Sequence, residues 1–104
     1  MILDPNDKRL NFIKEKIPKA ASYEQMAEEC CELAQALLKK ARKLRGENYT
    51  PKSTLEINES IIEELTDVVL CGVVLDIHPS RTILNEKLNR WVIRNKGHND
   101  DSAT

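Results

Sequence analysis

The stretch from Ser22 to Leu44 constrains the fold most, because its apolar residues recur at the spacing of one helix face. At about 100° per residue, a single stripe contains Met26, Cys30, Leu33, Leu37, Ala41 and Leu44. Neighbouring apolar residues widen this stripe to roughly half of the helix surface. The pattern therefore predicts a helix that faces the core of a helical domain.

The rest of the chain also favours helix, since its 104 residues include three Gly, four Pro and few β-branched runs. We predict an all-α, four-helix bundle-like domain with helices at about 5–17, 22–45, 55–78 and 80–95. The starts follow from capping signals, which are Asp4–Pro5, Ser22 with Gln25, Ser53 with Glu56, and Ser80. Residues 1–96 are predicted to form a single domain, and residues 97–104 a disordered polar tail.

The charge balance excludes several classes of partner. Sixteen basic and 17 acidic residues give a net charge of −1, which predicts no nucleic-acid partner and no anionic membrane partner. The first residues lack a signal-peptide pattern, and the longest apolar run, Val68 to Leu75, is far short of the ~20 residues that span a bilayer. We expect a cytoplasmic protein in which Cys30, Cys31 and Cys71 are reduced core thiols.

Two groups of acidic residues stand out from this background. Glu28, Glu29 and Glu32 fall within about 100° of arc on the side of the second helix opposite its apolar stripe. Glu64 and Asp67 lie three residues apart and lead into the apolar stripe of the third helix. Each group alone is compatible with a charged surface, but a desolvated pair of carboxylates costs several kcal/mol per ion unless a cation compensates.

Together the two groups put five carboxylates on two helices that a loop can bring back antiparallel. Ligands that are all oxygen favour a hard cation, so we expect Mg²⁺, with Mn²⁺ as an alternative. Mg²⁺ typically accepts its remaining ligands from water and from a phosphate substrate. The acidic residues are therefore compatible with a substrate that contains phosphate.

The pattern Glu28-Glu29-x-x-Glu32, a gap of 31 residues, then Glu64-x-x-Asp67 resembles the signature of the MazG-like all-α nucleoside triphosphate pyrophosphohydrolases. The resemblance covers roughly residues 23–94. It implies a helical homodimer or homotetramer that uses Mg²⁺ to hydrolyse a (deoxy)nucleoside triphosphate to the monophosphate and pyrophosphate. The chain departs from the pattern in its long gap and in Trp91, which stands near where many relatives carry asparagine.

The resemblance also implies roles for individual residues. The metal would be held by Glu28, Glu29, Glu32 and Asp67, with Glu64 either a ligand or the group that orients the attacking water. Glu29 and Glu64 are accordingly the catalytic candidates. The leaving pyrophosphate also needs cations, and Lys87, Arg90 and Arg94 lie on one face of the fourth helix at i, i+3 and i+7. A solvated basic face is the alternative interpretation of these three residues.

Two other functions stay open from the sequence. One is a phosphoribosyl-ATP pyrophosphatase, whose pattern is similar, and the other is a non-catalytic helical oligomerisation or adaptor module. His78 and His98 stand in no E-x-x-H spacing, which removes the strongest sign of a di-iron site. The third helix is apolar nearly all round from Val68 onward, and four helices cannot cover it, so we expect a homo-oligomer.

Overall fold

The computed structural model describes residues 3–47 and 52–103, with side chains described up to residue 97. This part of the chain is helical and has no strand, which confirms the all-α prediction. The helices are α1 (Lys8–Lys16), α2 (Lys19–Arg45), α3 (Thr54–Val74) and α4 (Arg81–Ala103). Among them, none combines the length and the apolar character that a membrane crossing requires.

The starts of α3 and α4 follow the predicted capping residues. The Ser53 hydroxyl accepts a hydrogen bond of 3.2 Å from the Glu56 N–H, and the Ser80 hydroxyl accepts one of 3.2 Å from the Ile83 N–H. These bonds satisfy backbone donors that the first helical turn leaves without a partner. Both predicted caps are confirmed.

The predicted starts of α1 and α2 are wrong. Asp7, and not Asp4, caps α1, and its carboxylate accepts a hydrogen bond of 2.9 Å from the Arg9 N–H. Helix α2 already begins at Lys19, because Pro18 carries no N–H and fits a helix entry. Ser22 is therefore inside α2, where its N–H donates to the Pro18 carbonyl and its side chain is buried.

Helices α2 and α3 each end beside a residue whose backbone is in the left-handed conformation. Gly46 stops α2 with φ of 69°, directly after the predicted end at residue 45. Helix α3 stops at Val74 and not at the predicted His78, because Asp76 adopts φ of 57° and the Ile77 N–H bonds the Gly72 carbonyl at 2.9 Å. This bond from the sixth residue to the first is typical of a Schellman motif.

Helix α4 is longer than predicted. It continues past the predicted end near Asn95 to Ala103, so helix covers most of the segment 97–104 that was expected to be a disordered tail. No proline interrupts this segment, and its single glycine costs a helix only about 1 kcal/mol. The assignment of residues 1–96 to one domain stays a prediction.

Helices α2 and α3 form an antiparallel hairpin. Lys40 donates to the Asn58 carboxamide oxygen at 2.8 Å near the connecting loop, and Met26 approaches Gly72 at the opposite end. The facing positions alternate in steps of three and four, as in coiled-coil packing. We call them the seam; on α2 they are Ser22, Met26, Glu29, Leu33, Ala36, Lys40 and Lys43, and on α3 and its C-cap they are Ile57, Ile61, Glu64, Val68, Cys71 and Leu75. All are buried or half-buried.

The seam lies to one side of the apolar stripe predicted for α2, so only part of that stripe is buried. Leu37 is 48% exposed and Leu44 is 74% exposed. Cys30 and Cys31 are exposed free thiols, so the prediction that they are core residues is wrong, whereas Cys71 is half-buried. The reason is that only α3 packs against α2 to a large extent, and one neighbour cannot cover half of a helix surface.

Helix α4 stands apart from the hairpin. It has no substantial contact with the other described helices, whereas α1 packs weakly against α3. The radius of gyration is 18.4 Å, compared with about 13 Å for a compact chain of this length. The accessible surface is 8632 Å², compared with about 6000 Å² for a compact monomer of this mass. The predicted four-helix bundle is therefore not formed by the described helices of a single chain.

Candidate functional site

Three of the five predicted carboxylates meet in the seam of the hairpin. Glu29 from α2 and Glu64 and Asp67 from α3 each place one carboxylate oxygen within 4.8 Å of the other two. We call these residues the acid cluster. All three side chains are half-buried, because Glu29 and Glu64 occupy seam positions that face the partner helix. The cluster depends on the packing of α2 on α3, which places the three acids on facing surfaces.

Two oxygens of the acid cluster are enclosed without a hydrogen-bond partner. They are Oε2 of Glu29 and Oε2 of Glu64. The other oxygen of Glu29, Oε1, accepts a hydrogen bond of 2.7 Å from the Gln25 amide. A buried polar atom without a partner costs about 1–3 kcal/mol, and more if it is charged. The arrangement therefore destabilises the hairpin unless a cation or protons compensate.

The environment of Glu29 raises its pKa. The hydrogen bond from Gln25 lowers the pKa, but desolvation and the negative charges of Glu32 and Asp67 together outweigh it. Like charges so close together favour the protonated form of the carboxyl. Without a cation, Glu29 therefore holds a proton to a higher pH than an exposed glutamate does.

The remaining two predicted ligands lie at the margin of this site. Glu32 is exposed, but its negative charge acts on Glu29 and its side chain shares a cleft with Glu64. Glu28 is also exposed and is not part of the acid cluster. A single chain thus brings Glu29, Glu64 and Asp67 together, keeps Glu32 beside them, and leaves Glu28 outside.

The acid cluster suits a small hard cation. Octahedral Mg²⁺ has oxygen ligands at 2.0–2.1 Å, so two ligands on opposite sides lie about 4.2 Å apart. The carboxylate oxygens of the cluster already lie within 4.8 Å of one another, so small side-chain shifts would bring them to that spacing. The enclosed oxygens without hydrogen bonds are free to accept such an ion.

The thiol beside the acid cluster does not favour a soft metal. Desolvation raises the pKa of Cys71, and the negative charges of Glu29 and Asp67 raise it further. Metal-binding cysteine is a thiolate, and these neighbours disfavour that form at neutral pH. The donors that the site offers are therefore carboxylate oxygens.

A cleft of about 340 Å³ opens from the acid cluster toward the loop between α2 and α3. Its lining residues are Glu32, Gln35, Ala36, Lys39, Lys52, Ile57, Ser60 and Glu64. Two acidic residues, Glu32 and Glu64, and two basic residues, Lys39 and Lys52, thus line the same cleft. Neither lysine was predicted from the sequence to be a site residue. A signal was present for Lys39, since it follows Glu32 by seven residues and so lies on the same helix face.

The predicted phosphate-binding residues of α4 share a face but lie away from the acid cluster. Lys87, Arg90 and Arg94 line a shallow groove of about 400 Å³ together with Trp91 and Ile93. Because α4 has no substantial contact with α2 or α3, one chain does not bring these cations to the carboxylates. Their assignment to phosphate stays a prediction that requires another packing partner for α4.

No family model, curated protein or solved structure matches the chain with significant similarity. The resemblance to the MazG-like group therefore rests on the five motif residues and their helical setting.

Proposed function

We propose that the protein is a Mg²⁺-dependent nucleoside triphosphate pyrophosphohydrolase, with Mn²⁺ as an alternative ion. The observation that carries the proposal is the acid cluster, in which three carboxylates converge and two oxygens are enclosed without a hydrogen bond. A structural role does not explain this arrangement, because like charges in a helix seam repel and desolvation adds to the penalty. Binding a cation accounts for both features.

The proposed reaction is attack of water on the α-phosphorus. A bond forms between the water oxygen and this phosphorus, the bridging bond to the β-phosphate breaks, and pyrophosphate leaves. Mg²⁺, when bound, supplies positive charge to the triphosphate and acidifies a nearby water molecule. Glu29, Asp67 and Glu32 would hold the ion, and Glu64 would bind it or accept the proton from the attacking water. Glu28 joins the ligands only if it moves or if a second ion binds.

We further propose that the enzyme acts as a homodimer or homotetramer. The supporting observations are the excess surface of the single chain and two apolar grooves of about 570 and 550 Å³ beside α1. Large apolar side chains of α4, including Leu88, Trp91 and Ile93, are also exposed, and apolar surface that is contiguous marks sites of protein interaction. Packing between subunits would also give the basic face of α4, with Lys87, Arg90 and Arg94, a route to the phosphates.

A substrate screen tests the proposed function. The protein is incubated with each of the eight common NTPs and dNTPs, and with phosphoribosyl-ATP, in the presence of Mg²⁺ or Mn²⁺. We expect release of pyrophosphate and a monophosphate from at least one nucleoside triphosphate. Cleavage of phosphoribosyl-ATP alone would assign the chain to the second type of pyrophosphatase. No turnover together with no stoichiometric Mg²⁺ binding would favour the non-catalytic module.

Matched variants on α3 separate a catalytic role from a general charge effect. Asp67→Asn and Glu64→Gln should each lower kcat by about 10²-fold or more, since each removes a group at the reacting centre. Glu63→Gln is the control, because Glu63 adjoins Glu64 in sequence but is exposed. Full activity in Asp67→Asn, with the fold intact by circular dichroism, would exclude the acid cluster as the active site.

A further inference from the structure

The cleft beside the acid cluster is built from one face of each hairpin helix. On α2, Glu32, Gln35 and Lys39 follow one another at i, i+3 and i+7, and on α3 Ser60 and Glu64 are four residues apart. Seven helical residues span about 10 Å. The Cα atoms of Glu32 and Lys39 therefore lie about 10 Å apart along the same wall of the cleft.

The ammonium groups of Lys39 and Lys52 have no protein partner in residues 3–47 and 52–97. Neither forms an ion pair within 4.0 Å or a hydrogen bond there; the ion pairs in these ranges involve Arg9, Lys14 and Arg45. The neighbouring lysines differ, because Lys40 donates to Asn58 and Lys43 donates to a backbone carbonyl. Within residues 3–47 and 52–97, the charges of the two lysines that line the cleft are therefore not paired.

The position of Lys52 is fixed by local structure. Its carbonyl accepts a hydrogen bond of 3.0 Å from the Lys43 ammonium group, which ties it to the last turns of α2. Lys52 immediately precedes Ser53, the N-cap of α3. The start of a helix carries partial positive charge and favours anions. The cleft thus has two lysines that lack a partner among the described residues, and one of them precedes a helix N-terminus.

We propose that Lys39 and Lys52 bind the leaving pyrophosphate portion of the substrate, with Gln35 and Ser60 as uncharged hydrogen-bond partners along the cleft. The proposal rests on the proposed hydrolysis and deepens it. The α-phosphate would lie at the acid cluster, and the β- and γ-phosphates would extend toward the lysines. As the bridging bond breaks, negative charge develops on the pyrophosphate, and the two ammonium groups neutralise it. This phosphate site lies in the same chain as the acid cluster and does not require α4.

Binding of inorganic pyrophosphate with Mg²⁺, measured by isothermal titration calorimetry, tests this site without relying on turnover. Lys39→Ala and Lys52→Ala should each weaken binding on the order of tenfold, because each removes a charge-assisted hydrogen bond. Lys39→Gln and Lys52→Gln repeat the test with longer polar side chains. Lys19→Ala is the matched control, since it removes the same charge from the exposed first turn of α2 and should bind as the parent does.

The outcomes separate this inference from the proposed function. If the parent hydrolyses a triphosphate but all four lysine variants bind pyrophosphate as tightly as the parent, the inference is overturned and the hydrolysis stands. If the parent binds pyrophosphate through both lysines but cleaves no triphosphate, the anion site stands and the hydrolysis fails. In an active enzyme, the variants should also raise the inhibition constant of pyrophosphate, whereas Lys19→Ala should not change it.

Discussion

The hairpin of α2 and α3 differs from helix α4 in how far its large apolar side chains are buried. In the hairpin, Ile57 is only 2% exposed because it faces α2 across the seam. In α4, Leu88 is 54% exposed and Trp91 is 60% exposed, although both belong to the apolar face predicted for this helix. The difference shows that periodicity identifies a face that can be buried, whereas burial itself depends on the available partner helix.

The same comparison applies to charge. The acids of the hairpin are held in a seam, where their charges are partly desolvated and interact strongly. The cations of α4 project from a helix without substantial contacts and interact mainly with water. The hairpin therefore provides a candidate metal site within one chain, while α4 provides a surface whose role depends on assembly.

The largest expected effect is on the seam itself. Ile57→Ala should lower the free energy of unfolding by about 2–5 kcal/mol, since it leaves a cavity between α2 and α3. Chemical denaturation followed by circular dichroism measures this loss. Leu55→Ala on the same helix is the control, because Leu55 is 67% exposed and should change stability by less than about 0.5 kcal/mol. Equal effects of the two changes would mean that the seam is not the core.

The next prediction concerns the face of α4. If α4 is covered by another subunit, Leu88→Ala should cost about 2 kcal/mol of assembly free energy and shift the mass measured by light scattering toward the monomer. Glu86→Ala is the control on the same helix, since its side chain is polar and exposed. A parent protein that is monomeric at micromolar concentration would contradict the proposed oligomer and leave α4 as a free arm.

Proton and metal binding should oppose each other at the acid cluster. Because the folded-state pKa of Glu29 is raised, the folded protein binds more protons than the unfolded chain between the unfolded and the folded pKa. The contribution of Glu29 to the stability of the metal-free protein should therefore grow as pH is lowered through its folded pKa, and it should be lost as pH rises through that pKa. Melting curves at pH 5 and pH 8 measure this trend.

Mg²⁺ should reverse the trend, because it binds the ionised carboxylates. At ten times its dissociation constant it adds about 1.4 kcal/mol of stability, which corresponds to a rise in Tm of roughly 6–11 °C for a domain of this size. The rise should be clear at pH 8 and smaller at pH 5. Glu29→Gln should remove most of the pH dependence. A parent protein whose melting curve does not respond to Mg²⁺ at pH 8 would identify the acid cluster as ordinary surface charge.

The smallest expected effect lies where the hairpin ends and the connection to α4 begins. Asp76 is left-handed, and its carboxylate pairs with Lys14 at 3.1 Å on an exposed surface. Asparagine also tolerates the left-handed conformation but cannot form the ion pair. Asp76→Asn should therefore lower the free energy of unfolding by only a few tenths of a kcal/mol. Asp76→Ala should cost about 1 kcal/mol more, because alanine does not tolerate this conformation. Thermal unfolding of both variants distinguishes backbone strain from charge.

The sequence predicts the parts of the structure that depend on local chemistry. Ser53, Ser80 and Gly46 mark helix boundaries through their own hydrogen bonds or backbone freedom, and the structure confirms them. The spacing of Glu64 and Asp67 likewise placed both acids on the side of α3 that meets α2. A spacing of three residues is enough to predict that two side chains share a helix face, whatever the partner helix is.

The predictions that depended on tertiary packing were less accurate. Glu29 was grouped with Glu28 and Glu32 on an outer face, yet it lies in the seam, because rotation of α2 is decided by its contact with α3. Cys30 and Cys31 are exposed for the same reason. The end of α3 was missed because aspartate in a left-handed conformation has no distinctive sequence signal, in contrast to glycine.

The single tryptophan of the chain, Trp91, lies on the helix whose surroundings change with assembly. Its indole is largely exposed in the isolated chain, so its fluorescence emission should be that of an indole in water. Covering α4 with another subunit would transfer the indole to an apolar environment and shift the emission to shorter wavelength. The protein thus carries an intrinsic optical probe of α4, and a dilution series read at its emission maximum would report the assembly state without any added label.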